Sequence, residues 1–377
     1  MHIENAYRII PVYTADVSGV CSALFELGGM TVMHDPSGCN STYNTHDETR
    51  WYEQDSLIYI SGLTEIDAVM GNDRKLIDDV IDAANRLHPR FIALCGSPVP
   101  FLNGTDFHAL ARIIEGETSI PSFAVETNGT HDYVQGAGKA LEKIAERFVK
   151  KPERKLENAV NILGMTPLDY AASDCVSSMR EILESAGMKV QSVWAMGDSL
   201  DALSLAGEAS VNLVVSQTGM AAAKYMETHF QIPYVAVVPI GPVKDAVIEE
   251  LKRAEKEKRS RILCNKRNHN GEPEVVIIGE PVTGGSLAWV ISEKYGCGTR
   301  LFTPMEKSRE LLGEGDLLLR GEAAMEEALR GAKHIVADPL YAPVCPKESR
   351  FYELAHAAFS GRCYLREIPD LLKLLDE

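Results

Sequence analysis

The chain has 377 residues, 45% hydrophobic and 24% charged, with a formal net charge of −16. That is the make-up of an ordinary globular protein with room for two or three domains. The acidic balance excludes a nucleic-acid partner, which needs a basic face. The longest apolar runs are strand-length, so no membrane span is expected, and Met1–Asn5 shows no export signal. A cytoplasmic location is expected, where disulfides are rare. The eight cysteines contain no Cys-x-x-Cys pair, so they are packing residues or ligands gathered from distant segments.

In chain order, Val17, Val20, Cys21, Leu24 and Phe25 share one helical face, which Gly28-Gly29 ends. Met30–Met33 is strand-like and leads into His34-Asp-Pro-Ser-Gly-Cys39. A thiol at the start of a helix after a strand and turn is one that ionises readily and binds metal. Strands are predicted at 57–60, 91–94 and 123–125, and helices at 74–87, 107–114 and 134–149. The charged, proline-containing stretch 150–158 marks a boundary.

The pattern then repeats. Strands are predicted at 160–164, 190–195, 211–215 and 234–238, with helices at 173–186, 200–206 and 220–230, and a long charged helix over 242–261. A third unit opens with the strand 274–279 and continues through helix 286–295, strand 300–303, helix 322–330, strand 334–337 and a last helix 368–375. Alternating strands and helices specify parallel sheets covered on both faces. The expected fold is therefore α/β, three Rossmann-like doubly wound domains over 1–155, 156–265 and 266–377. The loop Gly279–Ser286 lacks the spacing of a dinucleotide fingerprint and reads as a structural turn. No P-loop occurs, so the chain should not hydrolyse ATP itself.

His34-Asp-Pro-Ser-Gly-Cys39, followed by Leu63-Thr-Glu-Ile-Asp-Ala-Val-Met-Gly71, resembles the nitrogenase component 1 family. There a His-Gly-x-x-Gly-Cys turn supplies a cluster thiolate, and a Met-Thr-Glu-x-x-Ala-Val-Phe-Gly segment follows. Family members draw three thiolates from the helix before the first strand, the Gly-Cys turn and the end of a later strand. Cys21, Cys39 and Cys95 occupy those places in order. Aligned on its flanks, however, Cys21 falls about one helical turn late. Cys95 falls a few residues early, with Pro98 at the family's cysteine position.

The resemblance implies an iron–sulfur cluster, [4Fe–4S] or larger and fused, at a two-fold interface of a homodimer. It also implies a separate ATP-hydrolysing iron–sulfur reductase as electron donor. Val211-Asn-Leu-Val-Val-Ser216 through Gly241-Pro242 resembles the α-type subunit, where a cysteine holds the iron–molybdenum cofactor. Here Ser216 stands at that place, a poor ligand for soft iron–sulfur chemistry, so neither that cofactor nor dinitrogen reduction is expected. Phe351–Gly361 resembles the segment carrying that cofactor's histidine, so His356 lines a substrate cavity, acts as a proton donor or is simply a packed histidine, and Ser216 is the other candidate substrate-binding residue. Tetrapyrrole-reducing members, which dispense with the iron–molybdenum cofactor, are the nearest models for activity. A non-catalytic scaffold for building a metallocluster is the alternative. Cys175, Cys264, Cys297, Cys345 and Cys363 have no family counterpart and read as packing residues.

Overall fold

The computed structural model describes residues 12–38, 40, 48–171, 174–267 and 273–375. It contains three all-parallel sheets, each built from one consecutive stretch of chain. The first comprises β1 (Met30–His34), β2 (Leu57–Ile60), β3 (Ile92–Gly96) and β4 (Ser122–Ala124), in the order β2-β1-β3-β4. The second has β5 (Ala159–Leu163), β6 (Lys189–Val193), β7 (Val211–Val214), β8 (Tyr234–Ala236) and β9 (Arg261–Ile262), ordered β6-β5-β7-β8-β9. The third has β10 (Val275–Ile278), β11 (Thr299–Thr303), β12 (Leu317–Leu318), β13 (His334–Ala337) and β14 (Arg350–Glu353), ordered β12-β11-β10-β13-β14.

In every sheet the chain first builds outward on one side of the opening strand, then returns to its other side. This creates a reversal of strand order at β1/β3, at β5/β7 and at β10/β13, and ligands of open α/β sheets sit beyond the carboxyl ends of strands at such reversals. β1, β3, β5 and β7 are buried along their whole length, which is why they read as continuous apolar runs rather than alternating ones.

Helix Asp16–Leu24 is buried nearly all round, not on one face alone, because helix Tyr133–Phe148 covers the side turned from the sheet. The two helices meet backbone to backbone. A Cβ at Gly19 would lie 2.2 Å from the Tyr133 carbonyl oxygen, and one at Gly136 would lie 1.8 Å from that of Asp16. One continuous apolar core runs from this helix pair through the second sheet to helix Pro281–Tyr295 of the third unit.

Three predicted elements differ in detail. The charged helix covers Lys244–Glu257 and ends at Lys258 in the left-handed region, freeing Arg261–Ile262 to pair as β9. The last predicted helix is a single 3₁₀ turn, Leu371–Lys373, capped by Asp370, because Pro369 precedes it and Leu374 already has extended backbone. The helix expected from Ser286 starts at Pro281, since Glu280 caps its first turn through two backbone amides. Its glycines are packing glycines: a Cβ at Gly285 would lie 2.4 Å from the Cys264 carbonyl oxygen.

Gly136→Ala should therefore destabilise the protein by about 1–3 kcal/mol, the cost of overpacking. Gly116→Ala, where a Cβ meets nothing within 4 Å, should be neutral or stabilising. Urea denaturation of the two variants measures the contrast.

Candidate functional site at the junction of the three sheets

The reversals of the second and third sheets face each other, and the first unit contributes the N-terminus of helix Tyr133–Phe148 to the same place. Beyond β5, Thr166 caps the short helix Pro167–Tyr170 and accepts from the Asp169 amide. That holds the Asp169 carboxylate inward, only 3% exposed. Asp169 Oδ1 accepts the Tyr133 hydroxyl at 2.5 Å and Oδ2 accepts the Thr166 hydroxyl at 2.6 Å. Burial, then the charge of Asp169, pushes the Tyr133 phenol well above its usual range, so it remains a donor.

His356 follows β14, and its backbone amide donates to Asp338 Oδ2 at 2.8 Å. Its Nδ1 accepts the Ala358 amide at 3.2 Å, which places the proton of the neutral ring on Nε2. Nε2 points at Asp169 Oδ1, 3.5 Å away, and makes no hydrogen bond of its own. Imidazole, carboxylate and phenol thus come from three different units.

Glu280, beyond β10, is fully buried. Its Oε1 accepts the Gln217 amide at 2.8 Å and the Val282 amide at 3.1 Å, and its Oε2 accepts the Thr283 amide and hydroxyl at 2.7 and 2.8 Å. Burial and then the nearby charge of Asp169 push Glu280 up to about 7, against the pull of these amides. Asp132 caps helix Tyr133–Phe148 and accepts the Glu306 amide at 2.7 Å, with burial raising it to about 6. Each pair of units is therefore joined by a buried carboxylate: Asp132 joins the first to the third, Glu280 the third to the second, and Asp169 the second to the other two. Between Asp169, Glu280, Thr283, His356 and Phe359 lies a cavity of ≈ 20 Å³, room for one water.

Ser216 lies at this junction, beyond β7, but its hydroxyl is engaged locally. Its Oγ accepts the Thr218 amide at 3.2 Å and lies 3.0 Å from the Thr218 hydroxyl. It is fully buried and does not line the cavity. Asp169, Glu280 and Tyr133 are not picked out by the sequence reading. Two signals were present, Thr166-x-x-Asp169 as a capping pair and a Glu-Pro step directly after an apolar strand.

Of the cysteines, Cys39 lies outside the described residues. Cys21 on helix Asp16–Leu24 and Cys95 on β3 lie in the same apolar core. Both are fully buried in the core, and the Cys95 thiol also reaches the Val32 carbonyl at 3.7 Å. Burial pushes the Cys21 thiol well up, so metal binding by it would have to displace a tightly held proton. Among the described residues no three His, Cys, Asp or Glu side chains converge as a metal site.

Residues 18–268, two thirds of the chain, match the family model of nitrogenase component 1 type oxidoreductases, and the chain belongs to that family. It is 23% identical over 226 residues to one subunit of the light-independent protochlorophyllide reductase of Nostoc punctiforme, covering 57% of this chain and 44% of that one. Against the same reductase subunit from Cereibacter sphaeroides it is 29% identical over 181 residues, 46% of this chain and 34% of the relative. The chain thus spans less than half the length of these relatives. A solved structure titled nitrogenase Cp1 at pH 6.5 superposes with a TM-score of 0.69 at 15% identity, covering 97% of this chain and 90% of that one. The three-sheet fold, including the third sheet beyond the family match, is thereby shown to be of nitrogenase type. No helix among the described residues is long and apolar enough to cross a membrane.

The raised Glu280 carboxyl makes a signed prediction. A folded-state value of about 7 against an ordinary 4.5 means that the folded protein holds a proton the unfolded chain has released. Its contribution is full below 4.5 and is lost as pH rises through about 7. Glu280→Gln should flatten the fall in stability across that window, by on the order of 3 kcal/mol at most. Thermal midpoints of both proteins across the same buffers measure it.

Proposed function

We propose that this chain is the catalytic component of a two-component, nitrogenase-like reductase. Low-potential electrons would reach it from a separate ATP-hydrolysing iron–sulfur protein and pass to a substrate at the three-sheet junction. The observation carrying this reading is the His356–Asp169–Tyr133 constellation at the facing strand reversals of a component 1 fold. An iron–sulfur cluster shared by two copies of the chain, held by Cys39 with Cys21 and Cys95 as further candidate thiols, supplies single electrons when bound. The Cys21 thiol is the less available donor, because burial holds its proton tightly.

At the junction this chain's residues do the proton chemistry. His356 presents an N–H at Nε2, and Asp169 stabilises the ring when it is positively charged. Tyr133 and Thr166 hold Asp169 by donating to it, which leaves Nε2 as the group free to give a proton. The two sequence relatives named above are protochlorophyllide reductase subunits, so a tetrapyrrole is the substrate class favoured. The cavity of ≈ 20 Å³ takes no macrocycle, so turnover requires the junction to open. That same closed cavity favours a second reading, a scaffold that carries a metallocluster and reduces nothing.

Anaerobic purification followed by iron and acid-labile sulfide analysis tests the shared basis of both readings, and Cys39→Ala should remove the iron. A protein without iron contradicts both. With protochlorophyllide as probe and an ATP-hydrolysing iron–sulfur reductase as donor, the enzyme reading expects turnover that His356→Ala lowers on the order of 100-fold at unchanged iron content. Transfer of iron to an apo-protein without turnover favours the scaffold.

A further inference from the structure

Glu280 has no part in the proton chemistry proposed above, although its carboxyl group is fully buried at the same junction. Its partners are three backbone amides and one hydroxyl, and among the described residues no Lys or Arg pairs with it. The titratable groups that face it are Asp169 and Tyr170 on helix Pro167–Tyr170, Tyr133 at the start of helix Tyr133–Phe148, Cys264 beyond β9, and His356 across the cavity. None of these is a cation at rest, and Asp169 is an anion. A carboxyl group buried without a cation and beside a carboxylate keeps its proton.

The oxygens show where that proton sits. Oε1 accepts two amides, those of Gln217 and Val282, and an amide can only donate. Oε2 accepts the Thr283 amide and meets the Thr283 hydroxyl at 2.8 Å, and a hydroxyl accepts as well as donates. With the proton on Oε2, the hydroxyl accepts it and turns its own hydrogen toward the Glu280 carbonyl, 3.4 Å away, or into the cavity that Thr283 lines. With the proton gone, the hydroxyl turns back and donates to Oε2, joining the three amides already aimed at the carboxylate. Both charge states are satisfied by the rotation of one hydroxyl.

The cavity links that hydroxyl to the rest of the site. Its polar side chains are those of Asp169, Glu280, Thr283 and His356, and the remaining side chains that line it, among them Leu287 and Phe359, are apolar. It has room for one water, and Nε2 of His356 has no hydrogen bond of its own.

We propose that Glu280 is the proton store of the junction, and that Thr283 and one water in the cavity carry its proton to the Asp169–His356 pair. Glu280 Oε2 gives its proton to Thr283 Oγ1, Thr283 gives its own to the water, and the water gives one of its own to the pair. Glu280 ends as a carboxylate held by three amides, and the pair changes from anionic to neutral. The store rests on the reading under Proposed function only for the fate of the proton, which the pair passes to the reduced substrate before Glu280 recharges it.

The test reads the proton itself, by infrared difference spectroscopy of the full chain across a pH series, with thermal midpoints as a folding check. Wild type should show the carbonyl band of a buried carboxylic acid that disappears as pH rises through about 7. Glu280→Gln should lack that band and keep the one of Asp132, which is lost through about 6. Thr283→Val should keep the Glu280 band at a shifted frequency, because the acid has lost the hydroxyl that accepts its proton. No such band in wild type, its persistence in Glu280→Gln, or an unshifted band in Thr283→Val overturns the proposal. If Glu280→Gln does not fold, Glu280→Asp takes its place, and a band unmoved in frequency and midpoint overturns the proposal instead. With protochlorophyllide and the iron–sulfur reductase, Glu280→Gln and Thr283→Val should each lower kcat on the order of 10-fold at unchanged KM. Wild-type kcat in both variants overturns the relay. Absence of turnover in wild type counts against the enzyme reading alone, and the infrared result still decides the store.

Discussion

Everything at the centre of this protein depends on carboxylates placed where sheets meet. Three parallel sheets joined by short connections have no continuous hydrogen bonding between them, and apolar packing alone fixes distance better than direction. Asp132, Asp169 and Glu280 supply the direction, because each is set by a helix start in one unit and accepts donors from another. Burial raises all but the best-satisfied of such groups: burial and then the charge of Asp169 raise Glu280, and burial with the charge of Glu306 raises Asp132. The amides and hydroxyls of the neighbouring units offset that cost. The joint is therefore specific and dependent on protonation, and it places an imidazole beside a carboxylate at the mouth of two strand reversals.

Much of this architecture is legible in the sequence, for reasons that differ by element. β1, β3, β5 and β7 are buried along their whole length, so they appear as unbroken apolar runs between helical periodicities, and parallel alternation follows. β9, β12 and the 3₁₀ turn at Leu371–Lys373 are too short to carry a period, and their pairing is decided by tertiary contact. The helix from Pro281 reads from sequence as beginning late because Gly284 and Gly285 look like loop residues. They are glycines because other parts of the fold press against them.

The site is less legible than the fold. His356 is marked by its resemblance to a ligand segment and does sit at the junction, but its partner Asp169 lies far away in sequence and reads locally as an ordinary capping residue. Glu280 likewise looks like a helix cap and is one; its second role appears only when Gln217 is seen to donate to it. Cys21 and Cys95 are grouped by their order along the chain, and both lie fully buried in one apolar core.

In the proposed arrangement electrons enter at the edge of the first sheet and protons are supplied at the junction of all three, with a two-fold axis close to the former. Iron-edge anomalous diffraction from anaerobically grown crystals tests that arrangement most directly. The expected result is one iron peak per two chains, shared across a two-fold axis beside the carboxyl ends of β1 and β3. Iron located instead at the His356 junction, or two chains meeting by another face with the β1–β3 edge empty, would contradict it.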